Sequence, residues 1–252
     1  MLDYCIITCT YNAEQEIQRT LDSVASQTCG GVHHVIIDGG STDATVQRAK
    51  RAQEEHGDKV RYTIVSESDR GLYDAMNKGL RFATGDYVLF LNAGDTLHTE
   101  RTLEEIANMV GSSEDSELPG VIYGDTNIVD ATNRYVGKRE HNPPEVLTWR
   151  SFQDGMLVCH QAFYARTDIA RKTAYDLRYR FSADVDWCIR VMKEVERRHL
   201  TLYNTNMVVC NYLAGGLTIK NHRQSLHERF RIMVKHYGLI RTIVKHVRFV
   251  FS

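Results

Sequence analysis

Four short polar clusters carry the first chemistry this chain offers: Thr10-Tyr11-Asn12, Asp38, Asp69-Arg70, and Asn92 with Asp95. Each closes an apolar, strand-forming run. The clearest run is Tyr87-Val88-Leu89-Phe90-Leu91, which stops at Asn92-Ala93-Gly94-Asp95. A continuous apolar run bounded by turn residues reads as a strand buried on both faces. Its polar end then lies on the edge where open α/β sheets bind ligands. Taken alone, Asn92 and Asp95 would serve equally well to cap a following helix. Four clusters on one sheet edge instead describe a pocket lined with carboxylates and hydrogen-bonding groups. Asp38 and Asp69 there can accept hydrogen bonds from a ribose or from a base N–H. An acidic pocket repels phosphate unless a divalent cation lies between. That points to Mn2+ or Mg2+, held by one or two carboxylates and completed by diphosphate oxygens. The dinucleotide fingerprint GxGxxG and the phosphate loop GxxxxGK[ST] are both missing.

The elements that must position these clusters alternate. Tyr4 to Thr10 is a strand by residue type, followed by a helix on Ile17, Leu21, Val24 and Ala25. Asn12 and Gln15 form a capping-box pattern ahead of that helix. Val32 to Ile37 is a second strand, with Ser41 or Thr42 placed to cap a helix through Val46, Ala49 and Ala52. Arg61 to Val65 is a third strand, and Tyr73, Met76, Leu80 and Ala83 mark the next helix. Strand–helix alternation of this kind argues a mostly parallel sheet.

At this point the sequence resembles glycosyltransferase family 2, the inverting enzymes of the GT-A fold. The resemblance rests on Thr8 to Glu14, Ile36 to Asp43, Asp69 to Gly79, and Ala83 to Asp95. It covers the first hundred or so residues densely and the next hundred sparsely. It implies an α/β, Rossmann-like architecture: a mixed, mostly parallel sheet flanked by helices, here with a C-terminal helical extension. It implies donor contacts from Thr10, Asn12, Asp38, Asp69 and Asn92, and a metal-facing acid at Asp95. The chain departs from the usual pattern in the metal block, where many members carry acids at the places of Asn92 and Gly94. Asn92 still offers a neutral carbonyl oxygen to a hard cation.

Farther along, Thr99 starts an expected helix, and Val121 to Asp125 with Asn127 to Val129 looks like a strand, with another near Tyr135-Val136. Cys159 to Tyr164 reads as a strand bearing His160 and Gln161, a pair that the resemblance turns towards the sugar site. Ser182 is a good N-cap, which places Asp184 in the first turn of a helix. Acids favour that position because of the helix dipole. The resemblance makes Asp184 the general base, with Ala183 where the family has Glu, and leaves Asp186 as the second candidate on the acceptor side. Leu200 to Tyr203 and Met207 to Tyr212 read as further strands, followed by a turn at Gly215 to Thr218.

Composition narrows the alternatives. Formal net charge is −1 over 252 residues, so nothing suggests a nucleic-acid binder. The charge is uneven: eight Lys/Arg and one acid fall after Thr218, leaving −8 on the rest. Six cysteines show no CxxC pair and read as buried free thiols. No signal peptide and no bilayer-spanning run is evident. The division expected is a glycosyltransferase domain over 1–218, with a nucleotide-sugar half at 1–98 and an acceptor half at 99–218, then a basic amphipathic segment at 219–252. Within that segment, 225–252 would meet an anionic membrane surface or a partner subunit. The expected protein is a cytoplasmic hexosyltransferase, peripheral on the cytoplasmic face. It would move a sugar from a nucleotide donor, UDP-linked by expectation, to a glycan or lipid-linked saccharide. The rivals are a catalytically silent nucleotide-sugar-binding or scaffold subunit and, from the same acidic metal chemistry, a nucleotidyltransferase.

Overall fold

Strand β1 (Tyr4–Thr10) is buried at every residue, as its run of β-branched and aromatic residues requires of a central strand. It lies parallel to β2 (Val32–Asp38) on one side and to β4 (Tyr87–Phe90) on the other. β3 (Arg61–Ser66) extends the same parallel sheet beside β2. Helices α1 (Ile17–Ala25), α2 (Thr45–His56) and α3 (Leu72–Phe82) make the crossovers. Register aligns the strand ends: Thr10 faces Asp38, and Asp38 faces Ser66. Three of the four clusters therefore share one edge by backbone pairing alone, and β4 ends beside them.

The molecule is described by a computed structural model covering residues 2–112, 117–139, 142–215 and 222–251. In its second half the sheet becomes mixed. The remaining elements are β5 (Thr96–Leu97), α4 (Thr102–Gly111), β6 (Val121–Val129), β7 (Tyr135–Lys138), β8 (Phe163–Arg166), α5 (Thr167–Ala170), α6 (Ala183–Arg197), β9 (Leu202–Leu213), α7 (His222–Tyr237) and α8 (Leu239–Phe251). Sheet order is β3-β2-β1-β4-β8-β6-β9-β5, with β7 on β6. β8 is antiparallel to both of its neighbours, β4 and β6. Beneath the site, Trp187 of α6 stacks on Tyr175 at 5.0 Å and meets Phe90 and Phe163 edge-on. That cluster fixes α6 over the end of β4.

Several local expectations give way to tertiary structure. Asn12 does not cap α1. It adopts φ 47°, a left-handed conformation that Asn tolerates, and its Oδ1 accepts the Thr42 N–H at 2.9 Å. Asp43, not Ser41 or Thr42, prepares α2, its Oδ1 accepting the Thr45 N–H at 3.0 Å. Helix α4 begins at Thr102, with Thr99 in the turn before it. The strand expected over 121–129 is present as β6, whereas the two runs expected in 200–212 form one strand, β9, whose register with β6 shifts near Asp125. His160–Ala162 is a 3-10 turn rather than strand, and β8 starts at Phe163. The turn expected at Gly215 to Thr218 lies outside the described residues beyond Gly215. Among the described residues no helix is long and apolar enough to cross a membrane.

Candidate active site

The sheet edge at β1–β3 gathers three loops. Gly39 lets them meet: a Cβ there would lie 2.6 Å from Asp69 Oδ2 and 3.4 Å from the Tyr11 ring. Asp69 is half-buried, and its Oδ1 accepts the Gly71 N–H at 2.8 Å. The Tyr11 ring beside it is 65% exposed. Thr10 ends β1 with a buried hydroxyl that has no partner among the described residues. The Asn12 N–H donates to Ser41 Oγ at 2.7 Å, pinning the first loop to the second. Asp38 serves differently from the expected ribose contact. It is buried, and its Oδ2 accepts the N–H of Gly40 (3.0 Å), the N–H of Ser41 (2.9 Å) and the hydroxyl of Ser66 (2.6 Å). Ser41 Oγ donates to its other oxygen. The carboxylate shapes the loop from within.

A second group assembles where β4 ends. Asn92 Nδ2 lies 3.1 Å from His160 Nε2, and His160 Nδ1 lies 3.4 Å from Asp184 Oδ2. His160 thus bridges the Asn92 amide and the Asp184 carboxylate through its two ring nitrogens. Tyr73 OH donates to Asp184 Oδ1 at 3.1 Å. Burial works to raise the Asp184 pKa. The His160 hydrogen bond and charge, then the Arg229 charge, outweigh it and hold the group below the ordinary carboxylate range. Asn92 Oδ1 is buried with no partner among the described residues. The site thus holds an ionised carboxylate with two fixed neighbours and an open amide oxygen, the equipment for taking a proton from a hydroxyl. Tyr73 and Arg229 were missed in the sequence: Tyr73 reads as one more apolar-face residue of α3, and Arg229 as one cation in a basic run.

Asp95 and Gln161 are used otherwise than expected. Asp95 is buried, its Oδ2 accepting Gln161 Nε2–H at 2.7 Å and its Oδ1 the Leu213 N–H at 2.9 Å. Both oxygens hold protein donors and bind the end of β4 to β9, so Gln161 turns to Asp95 and away from His160's partners. Gly94 has φ 98°, and a Cβ on it would lie 2.7 Å from the Leu213 side chain, so no acid fits there. Among the described residues no group of three or more His, Cys, Asp or Glu could hold a metal ion. Asn92 Oδ1 is one open protein oxygen at this turn, and it is neutral. These residues do not fit a resident divalent cation.

Burial raises the Asp95 pKa to about 6, against the Leu213 and Gln161 hydrogen bonds that lower it. Folding therefore favours the protonated form, and this group's contribution is greatest below the unfolded-state pKa. It falls by about 1.4 kcal/mol per pH unit as pH rises from about 4 to about 6. Asp95→Ala leaves two buried donors unpaired and is expected to cost roughly 2–5 kcal/mol, less at pH 7 than at pH 4. Urea denaturation of parent and variant at both pH values measures this. A penalty that grows towards pH 7 would contradict the assignment.

Asp186, the second acid of α6, points away from this group. It is fully buried, bonded to Arg190 Nε at 2.6 Å and to Lys235 Nζ and His236 Nε2 at 2.8 Å each. It ties α6 to α7 and takes no place beside His160 or Asn92.

Known proteins share the sequence pattern and the fold of this chain. The sequence model described as glycosyl transferase family 2 matches residues 5–172. A "PGL/p-HBAD biosynthesis glycosyltransferase" of Mycobacterium tuberculosis is 38% identical over 217 residues, covering 85% of this chain and 78% of its own. S. aureus TarS, solved in complex with UDP, superposes with a TM-score of 0.68 at 15% identity, over 92% of this chain and 64% of that one. Mannosyltransferase PcManGT from Pyrobaculum calidifontis, solved with GDP-Man and Mn2+, gives 0.65 at 18% identity, over 98% of this chain and 71% of that one. At such identities these two structures speak for the fold.

Proposed function

The chain belongs to glycosyltransferase family 2, and on that premise we propose that it is an inverting enzyme passing a sugar from a UDP-linked donor to an acceptor hydroxyl. The observation that carries this reading is the junction of Asn92, His160 and Asp184. It joins the end of the donor-side strand to an ionised carboxylate. Asp184 takes the proton of the acceptor hydroxyl, and the hydroxyl oxygen attacks the anomeric carbon. The bond from that carbon to the diphosphate oxygen breaks as the new glycosidic bond forms, inverting the centre. His160 and Tyr73 hold the carboxylate in place. Tyr11, Thr10 and Asp69 face the nucleotide, with Asn12 and Asp38 shaping its loops. Asn92 Oδ1 is free for a sugar hydroxyl.

Mn2+ and Mg2+ are the cations expected in this family. Here Asp95, the acid expected to meet them, has both oxygens taken by protein donors, so no step is assigned to them. A glycan or lipid-linked saccharide is the acceptor proposed. Hydrolysis of a panel of UDP- and GDP-sugars, with Mn2+ and with chelator, tests the reading. One UDP-sugar should be cleaved to free sugar and UDP in preference to the rest. No cleavage and no thermal shift with any donor would leave a silent scaffold subunit.

We also propose that α8 docks on an anionic membrane surface at the cytoplasmic face. Leu239, Ile240, Ile243 and Val244 are exposed, as is Arg241, so this apolar face is not covered by the domain. Basic residues near such a surface contribute about 1 kcal/mol each. The full chain should co-sediment with phosphatidylserine-containing vesicles at low salt, and Ile240→Glu/Ile243→Glu should not. Equal pelleting of both would point to a partner subunit instead.

A further inference from the structure

Helix α7 lies beyond the stretch matched by the family, yet it meets the start of α6 with unusual care. The Glu228 carboxylate accepts three successive backbone N–H groups, from Arg180 at 2.7 Å, Phe181 at 2.8 Å and Ser182 at 3.0 Å. Successive N–H groups converging on one anion form a nest. Ser182 occupies the N-cap position of α6 but makes no side-chain cap bond to it. Its hydroxyl instead meets Ser225 Oγ at 2.9 Å. The turn that launches α6 is thus held by side chains of α7.

The same face of α7 continues along the helix. Arg229 follows Glu228, and its Nε is buried with no partner among the described residues. Its charge helps hold the Asp184 carboxylate ionised. Two turns on, Lys235 and His236 grip Asp186. Asp184 therefore lies between two anchor points of α6, Ser182 and Asp186, that are both held by side chains of α7.

We propose that Glu228 is a positioning residue for Asp184, so that α7 forms part of the catalytic centre. The inference rests on the reading of Asp184 as general base. Were α7 only a tether, loosening Glu228 would lower stability and leave the turnover of folded molecules unchanged. As a positioning residue, Glu228 sets where the carboxylate points, and a displacement of about 1 Å at a reacting group can cost about 10²-fold.

The experiment compares Glu228→Ala, Glu228→Gln and Asp184→Asn in the full chain, with hydrolysis of the preferred UDP-sugar as probe. For folded Glu228→Ala, kcat should fall on the order of 10- to 10²-fold with donor KM within about twofold. The acid limb of its kcat profile should move to higher pH as Arg229 recedes from Asp184. Glu228→Gln keeps one acceptor oxygen and should lose less, roughly three- to tenfold. It also carries the test if Glu228→Ala does not fold. Parental kcat and an unmoved acid limb in a folded Glu228 variant, with Asp184→Asn inactive, would overturn the proposal. Full turnover by Asp184→Asn would instead overturn the base assignment, and the Glu228 role with it.

Discussion

Asp184→Asn is expected to lower turnover by roughly 10²–10⁴ while the donor binds as before. The substitution keeps the shape of the side chain and the oxygen that accepts from Tyr73. It removes the charge and the basicity. The parent should keep its activity from neutrality down towards pH 4, because the Asp184 carboxyl is held below its ordinary range, and lose it only as pH falls through that lowered pKa. Steady-state kinetics with the preferred UDP-sugar, beside calorimetric UDP binding, separates the two effects. Turnover within tenfold of the parent would remove Asp184 as base, and Asp186 could not inherit the role from its sealed position.

Asp186→Ala is expected to be the most damaging of the substitutions to stability, at roughly 3–5 kcal/mol, the usual cost of deleting one partner of a buried ion cluster. Lys235 and Arg190 are partly exposed and can turn to water, which favours the lower end. His236 is buried and cannot. Burial alone would raise the Asp186 pKa, but His236, Lys235 and Arg190 depress it strongly. Its stabilising contribution is therefore complete above the unfolded pKa of about 4 and is lost as pH falls through the folded-state value. Guanidinium denaturation at pH 7 measures the loss. A change below about 1 kcal/mol would mean that this ion cluster adds little to holding α7 on α6.

How much of this was legible in the sequence depends on range. The strand–helix alternation through Phe90 could be read because burial on both faces leaves a continuous apolar run and a helix leaves a periodic one. The strand ends followed, since parallel register carries Thr10, Asp38 and Ser66 to one edge. What could not be read were competitions between distant partners for one polar group. Asp38 and Asp95 look alike as strand-end acids, but Ser66 and Leu213 claim them from 28 and 118 residues away. Asn12 prefers a loop 30 residues on to the helix beside it. The contacts of Glu228 with 180–182 depend on the packing of two helices and leave no periodic trace.

The place of β8 between β4 and β6 has a consequence for how the polypeptide comes into being. β4 is completed by residue 90, but its outer neighbour spans residues 163 to 166. Until then a nascent chain carries β4 as a bare edge with unpaired backbone groups and largely apolar side chains, the kind of edge that recruits other chains. β5 waits longer, for Cys210 and Asn211 of β9. A ribosome stalled after α4 would therefore display a sticky half-sheet, and the turn that carries Asp184 gains its last support only when α7 clears the exit tunnel.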